Sequence, residues 1–392
     1  MSALPRIDEA LALVLARVAP LEAEDVPVAQ AAGRVLAVPA VALTDLPPFD
    51  SSAMDGFAVR AADTPGSLTV VGESAAGKPA TRELGAGEAI GISTGAVVPA
   101  GADAVVPVER TSGAVDVERV GVGENIRPRG GDTRAGEVLV EAGSVLRPAQ
   151  LGALAAAGVA IVRCARRPRA AVLATGSELR PPGEALAPGE IYESNTVLIG
   201  AQLASAGALV TVLDPVGDDE QSTRAALEQG LAGDMLVTSG GVSVGPHDLV
   251  RAALAELGAE EIFWRVAVKP GKPVAFAVRG STLVFGLPGN PVSSLVAFEL
   301  FVRPALLALQ GAAEPGPAYL PGRLGAPLRR NDQRDELVRA RVRIETDAVV
   351  LDPVSGQESH MIVRSAAASA LVLVPRGAGA LSEGSPVRYL RI

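Results

Sequence analysis

Between Asp234 and Ser294 the chain carries three turns rich in glycine or proline, each placed after an apolar run. They read Ser239-Gly240-Gly241-Val242-Ser243-Val244-Gly245, Lys269-Pro270-Gly271-Lys272-Pro273 and Leu287-Pro288-Gly289-Asn290-Pro291-Val292-Ser293. Turns of this kind leave backbone N–H groups free at strand ends and helix starts, where they suit a bound anion. Three of them within an α/β pattern suggest one site for a phosphorylated ligand. Gly240, Gly241 and Gly245 let the backbone approach a ligand or take positive φ, and Ser239 and Ser243 offer hydroxyls. Only three of the 35 basic residues are lysines, and two of these, Lys269 and Lys272, fall in the second turn. A lysine is a compact point charge suited to a phosphate or oxyanion.

Acidic residues flank these turns. Asp248 stands just before a helix and Asp234 just before a strand, and each could be a cap or turn residue. Beside a phosphate loop, Asp248 is also a Mg²⁺ candidate. Glu178, in Thr175-Gly176-Ser177-Glu178, follows another strand end and would meet the same edge. Pro288-Gly289-Asn290-Pro291 opens a long helix, with Asn290 as cap and Pro291 in the first turn; its free N–H groups could hold a further phosphate oxygen. Gly72 to Lys78 imitates a P-loop, but Pro79 stands where Ser or Thr would hold Mg²⁺, and no clear helix follows.

The elements that must position these groups come from the spacing of apolar residues. After Arg166-Arg167-Pro168-Arg169 strands and helices alternate: strands at Ala170–Ala174, Leu209–Leu213, Met235–Thr238, Ile262–Val268, Val274–Val278 and Leu283–Phe285, with helices between most of them and a final one from Pro291 to about Leu309. This order implies a mostly parallel sheet with helices on both faces, whose ligands sit beyond the carboxyl ends of the strands. Ile7, Leu11, Val14, Leu15 and Val18 mark one amphipathic helix. From Val26 to about Arg163 short apolar pieces broken by Gly and Pro read as β-rich structure. Gly311 to Pro327 reads as a second linker. Beyond it Val338, Ala340, Val342 and Ile344 alternate with Arg339, Arg341 and Arg343, the pattern of a half-exposed strand in a small β-barrel.

Composition narrows the function. A net charge of −9 argues against nucleic acid and anionic membrane as partners. The single cysteine, Cys164, excludes a disulfide framework and argues against a cysteine zinc site, and His247 and His360 are far apart in sequence. Asp8 and Glu9 interrupt the first apolar stretch, unlike a secretory signal. A cytoplasmic protein is expected.

Taken together the motifs resemble the molybdopterin molybdenumtransferase family, whose animal counterpart is the gephyrin E domain. The carrying segments are Leu46 to Gly56, Thr94 to Pro99, Asn125 to Asp132, Thr175 to Leu179, Ser239 to Gly245, Lys269 to Pro273 and Leu287 to Ser293, in family order. The resemblance implies a multidomain α/β plus β protein. Its regions would be a linker region at 1–25 and 136–168, a β-rich domain at 26–135, an α/β pterin-nucleotide domain at 169–312 and a β-barrel at 318–392. It implies a homodimer in which the β-rich domain completes the partner's site, with the upstream adenylyltransferase as a further partner. The implied reaction cleaves adenylylated molybdopterin with Mg²⁺, releases AMP and inserts molybdenum from molybdate. Asp55, Thr94, Glu178 and Asp248 would be catalytic, and Asp234, Asp248 and Glu178 would hold the metal. Asp132, Ser239, Gly240, Gly241, Ser243, Gly245, Lys269, Lys272, Pro288, Gly289, Asn290 and Ser293 would bind substrate. Alternatives are a molybdopterin adenylyltransferase, which shares a similar α/β domain, and a non-catalytic scaffold of the gephyrin type.

Overall fold

The six strands that follow Pro168 make one sheet, in the order Leu209–Val212, Arg169–Ala174, Met235–Ser239, Thr282–Leu287, Ala275–Arg279 and Glu260–Trp264. The first four are parallel, and the last two pairings are antiparallel. Glu260–Trp264 therefore runs in the same direction as the first four, and its last residue shares their carboxyl edge. The structure is a computed structural model and describes residues 4–112, 115–217, 219–241 and 249–392. Ser243, Gly245 and Asp248 lie outside the described residues.

Side chains of each strand alternate between two cores, as a sheet covered on both faces requires. Ala170, Val172, Met235 and Val237 face one side, while Ala171, Leu173 and Leu236 face the other. The first side is covered by α3 (Asn195–Ser205) and by the long helix Pro291–Leu309. That long helix is α6 (Pro291–Ala297), a π segment at Phe298–Val302 and α7 (Arg303–Leu309). The second side is covered by α4 (Glu220–Gly230) and α5 (Leu249–Glu256). Phe276 and Phe285 of the sheet and Phe301 of the long helix are fully buried in this core, each contributing about 2–3 kcal/mol of apolar burial. Among the described residues Pro291–Leu309 is the one helix long and apolar enough to cross a membrane, and 83% of its apolar window is buried inside the protein.

The N-terminal half divides differently from the expectation. α1 (Ile7–Leu15) is not part of a linker region: Ile7, Ala10 and Val14 belong to the α/β core, and Pro5 O accepts from Ala267 N. Residues 26–40 share a core with residues 140–164, including α2 (Pro148–Ala156), because Ala23–Pro27 pairs antiparallel with Ile161–Ala165. The β-rich unit, built on the sheet Thr69–Ser74, Glu88–Ile92, Gly56–Val59 and Ala104–Pro107, has its own cores from Phe57 onward. By core membership, residues 26–40 pack with residues 140–164 and not with the β-rich sheet. The imitation P-loop is a strand and tight turn, closed by mutual hydrogen bonds between Ala75 and Lys78.

The C-terminal strands close a barrel in the order Asp335–Ile344, Val349–Pro353, Leu320–Leu324, Pro386–Arg391 and Ala370–Val374, the last pairing back to the first. Leu320–Leu324 lies inside the stretch read as a linker. Two further readings are corrected. Ile262–Val268 is not one strand: after Trp264 the chain turns at Arg265 (φ 76°), and Val268–Lys269 pairs in parallel with the barrel strand at Asp335 and Glu336. Arg339 is not solvent-facing either. It is fully buried, and its guanidinium donates to the carbonyls of Gly356, Glu358 and Met361 and to Ser365 Oγ. Those bonds replace water and hold residues 356–365 against the barrel, while burial pushes the guanidinium pKa down.

Candidate active site

Three sheet strands end at the carboxyl edge in turns that touch one another. Gly240 and Gly241 sit at φ 91° and 66°, positions that disfavour any side chain. A Cβ on Gly240 would lie 2.6 Å from Thr175 O, so the first turn is pressed onto the strand end that leads to Glu178. Gly240 N donates to Leu287 O (3.1 Å), and the Gly240 Cα lies 3.9 Å from a Cβ position on Gly289. A Cβ on Gly271, at φ 104°, would lie 3.4 Å from Ser293 O, so this turn borders the head of the long helix. The three turns named from the sequence thus form one contiguous edge.

Asn195, absent from the sequence expectations, joins two of them. Its Nδ2 donates to Ser239 Oγ and to Gly289 O, each at 2.7 Å. Its Oδ1 is buried without a partner among the described residues. The residue is held in place from below by Glu193, which is buried and accepts from Asn195 N (2.7 Å), Thr196 N (2.9 Å) and the Thr196 hydroxyl. An Asn at the start of α3 reads as a helix cap from sequence, which is why its tertiary role stays hidden. Ser239 itself is turned inward; its hydroxyl accepts from Asn195 and reaches Pro288 O at 3.5 Å. Pro288 and Ser293 are also buried, and Asn290 is exposed at the head of α6.

The barrel closes this edge. Lys269 pairs with Glu336 at 3.0 Å, while Lys272 is exposed and makes no ion pair among the described residues. Val292 N, expected to be free for a phosphate, instead donates to Ser359 O at 3.1 Å. Ser359 lies in the segment that buried Arg339 fixes, so the head of α6, the lysine turn and the barrel form one assembly.

Asp234 does not join them. It precedes its strand, so it sits at the amino end of the sheet, opposite the turns. Both of its oxygens accept from Arg166 at 2.7 Å, and Oδ2 also accepts from Arg169 N at 2.7 Å. Burial opposes ionisation, but these charge-assisted bonds outweigh it and hold the carboxyl below its usual range. A carboxylate so saturated is a structural clasp. Glu178 does stay at the carboxyl edge, folded back over Gly176, where a Cβ would lie 2.5 Å from Glu178 Oε2. Among the described residues no group of three His, Cys, Asp or Glu side chains converges to hold a metal.

A second cluster forms in the β-rich unit. Asp55 Oδ1 accepts from Thr94 N at 2.7 Å, and Val108 N donates to Asp55 O at 3.0 Å. Ser52 accepts from Gly95 N, and Asp50 bonds to Arg129 N and Val98 N. Asp132 N donates to Leu46 O (2.8 Å). The loops at 46–56, 93–99 and 125–132 therefore converge, with Asp55 and Thr94 adjacent. Among the described residues no hydrogen bond or ion pair joins this cluster to the turns at 239–241, 269–273 and 287–293.

A mainly parallel sheet with contiguous glycine turns and lysines at its carboxyl edge defines an α/β domain of the kind whose ligands sit beyond the carboxyl ends of the strands. Comparison with known proteins narrows that class. Residues 5–158 match the MoeA N-terminal region (domain I and II), 171–308 a probable molybdopterin binding domain, and 321–392 the MoeA C-terminal region (domain IV). The chain is 34% identical to the molybdopterin molybdenumtransferase of Haemophilus influenzae, covering 94% of this chain and 93% of that protein. It is 41% identical over 309 residues to molybdopterin molybdenumtransferase 2 of Mycobacterium tuberculosis, covering 74% of this chain and 76% of that one. The crystal structure of a molybdopterin biosynthesis MoeA protein from Pyrococcus horikoshii superposes with a TM-score of 0.81 at 32% identity, covering 100% of this chain and 99% of the other. The chain belongs to the molybdopterin molybdenumtransferase family and is an enzyme of molybdenum cofactor biosynthesis.

Proposed function

We propose that the carboxyl edge binds adenylylated molybdopterin and molybdate, and that the enzyme cleaves the pyrophosphate link, releases AMP and transfers molybdenum to the dithiolene. The observation that carries this reading is the contact of three anion-suited turns with one another, with Lys269 and Lys272 on the middle one. The sulfur ligands belong to the substrate, so a chain with one buried cysteine is sufficient. The backbone of Gly240 and Gly241 approaches the phosphates closely. Lys272, which makes no ion pair among the described residues, offers its ammonium to the dianion, and Lys269 joins it while anchored on Glu336.

Mg²⁺ is proposed as an ion that arrives with the substrate phosphates. That fits a site with Glu178 at the edge and no converged carboxylate group among the described residues, because Mg²⁺ is usually held by one or two carboxylates plus phosphate and water. Bound there, it offsets phosphate charge during cleavage. Asp248 remains a second ligand candidate on sequence grounds, and Asp234 is withdrawn.

Asp55 and Thr94 are proposed to act beside the reacting centre from a second copy of the chain, in a homodimer. Their hydrogen bonds stay within the β-rich unit, and a site completed between copies accounts for that. A cytoplasmic location and contact with the upstream adenylyltransferase belong to the same proposal. The test mixes adenylylated molybdopterin, Mg²⁺ and molybdate with the folded enzyme and follows AMP release and metal insertion. Absence of AMP release refutes the reaction. Asp55→Asn is expected to lower turnover by roughly 100-fold or more with little change in melting temperature.

A further inference from the structure

Beside the proposed phosphate turns lies a trough that nothing above uses. It holds about 440 Å³ and runs along the α5 face of the sheet. Its floor is two cross-strand pairs, Ala275 with Gly286 and Ala277 with Val284. Partners directly opposite in an antiparallel pair present their side chains on one face, so the floor is nearly flat. Gly286, which has no side chain, lines it and directly precedes the Leu287-Pro288-Gly289 turn. Ala252 and Ala255 of α5 form one wall, and Ala259 and Glu261 the other.

The end nearest the turns is dressed with cations. Trp264 pairs with Ala275 and lies on the same face. The Arg251 guanidinium sits 4.0 Å from its ring centroid and that of Arg265 3.8 Å. Arg251 is fixed by a bidentate bond to Glu261 (2.7 and 2.8 Å). Arg265 makes no ion pair among the described residues, and its backbone holds the unfavourable φ of 76°. An apolar trough lined mostly by alanines, with Arg251 on its wall, therefore opens beside the proposed phosphate turns.

We propose that this trough receives a flat fused heterocycle of the substrate, with its attached phosphate on the adjoining turns. This rests on the phosphorylated-ligand reading of the edge and adds where the ring goes. The substrate carries two such rings, adenine and pterin, and both offer a planar face to the alanine-lined floor and walls.

The test uses Ala252→Leu/Ala255→Leu, which fills the trough at two exposed helix positions where leucine is well tolerated. Binding of AMP, neopterin monophosphate and pyrophosphate is measured by calorimetry on wild type and variant, with the single tryptophan's fluorescence as a second signal. The variant is expected to lose at least tenfold in affinity for AMP or for neopterin monophosphate, whichever ring uses the trough, and to keep pyrophosphate binding unchanged. If wild type binds the nucleotide or pterin and the variant binds both equally well, the trough assignment is overturned and the reading of the turns survives. If wild type binds none of the three, the turns are not a phosphate site, and the trough assignment falls with them.

Discussion

The two ends of the central sheet carry the same kinds of residue and use them in opposite ways. At the amino end, both oxygens of Asp234 accept charge-assisted bonds from Arg166, and Oδ2 also accepts from Arg169 N, so the result is a closed clasp. At the carboxyl edge, among the described residues, Lys272 has no ion pair, Asn195 keeps a buried oxygen unpartnered, and glycines hold backbone where side chains are disfavoured. Satisfied polar groups stabilise; groups held in place yet unsatisfied are available to a ligand. What separates the two is strand direction, because an acidic residue before a strand and one after it reach opposite edges of a parallel sheet.

The contrast can be broken at either end. Lys272→Ala should give the largest effect, a loss of roughly 100-fold or more in turnover with melting temperature nearly unchanged, since an exposed cation is removed from the open end. A large fall in melting temperature instead would make the lysine structural. Gly240→Ala should hurt both properties, because it forces a methyl against Thr175 O at positive φ; about 1–3 kcal/mol of stability is at stake, read by denaturant melts, along with weaker pyrophosphate binding. Asp234→Asn should do the reverse of Lys272→Ala. It should cost about 2 kcal/mol by loss of charge-assisted bonds and leave turnover per folded molecule intact. Reduced turnover in fully folded protein would return Asp234 to the site.

The smallest effect is in pH. The folded carboxyl of Asp234 titrates below its unfolded value, so its contribution is complete above the unfolded pKa of about 4 and is lost as pH falls through the lower folded pKa. The stability gap between wild type and Asp234→Asn should hold steady from about pH 7 to 5 and shrink below about pH 4. A gap that widens with acid would contradict the clasp.

Much of this was legible in the residues. The alternation of apolar runs with helical spacing placed the sheet, and the glycine and proline turns marked its carboxyl edge, because Gly and Pro mark strand ends by local sterics alone. What stayed hidden depended on distant partners. Val268–Lys269 looks like the tail of a sheet strand and pairs with the barrel instead. Arg339 looks exposed by alternation, yet a 356–365 segment folds over it. Asn195 looks like a cap, and its amide reaches residues 44 and 94 positions away. The packing of residues 26–40 stayed hidden because they take their partners from beyond residue 136.

The two-residue pairing of Val268–Lys269 with Asp335–Glu336 has a mechanical meaning. A barrel that might pass for a detachable appendage acts as a jig, setting the height and angle of an ammonium group on a neighbouring unit. Chimeras that exchange the barrel between relatives will therefore inherit its tolerances: a donor whose strand meets the lysine turn one residue out of step delivers the charge to the wrong place, however well both parts are built.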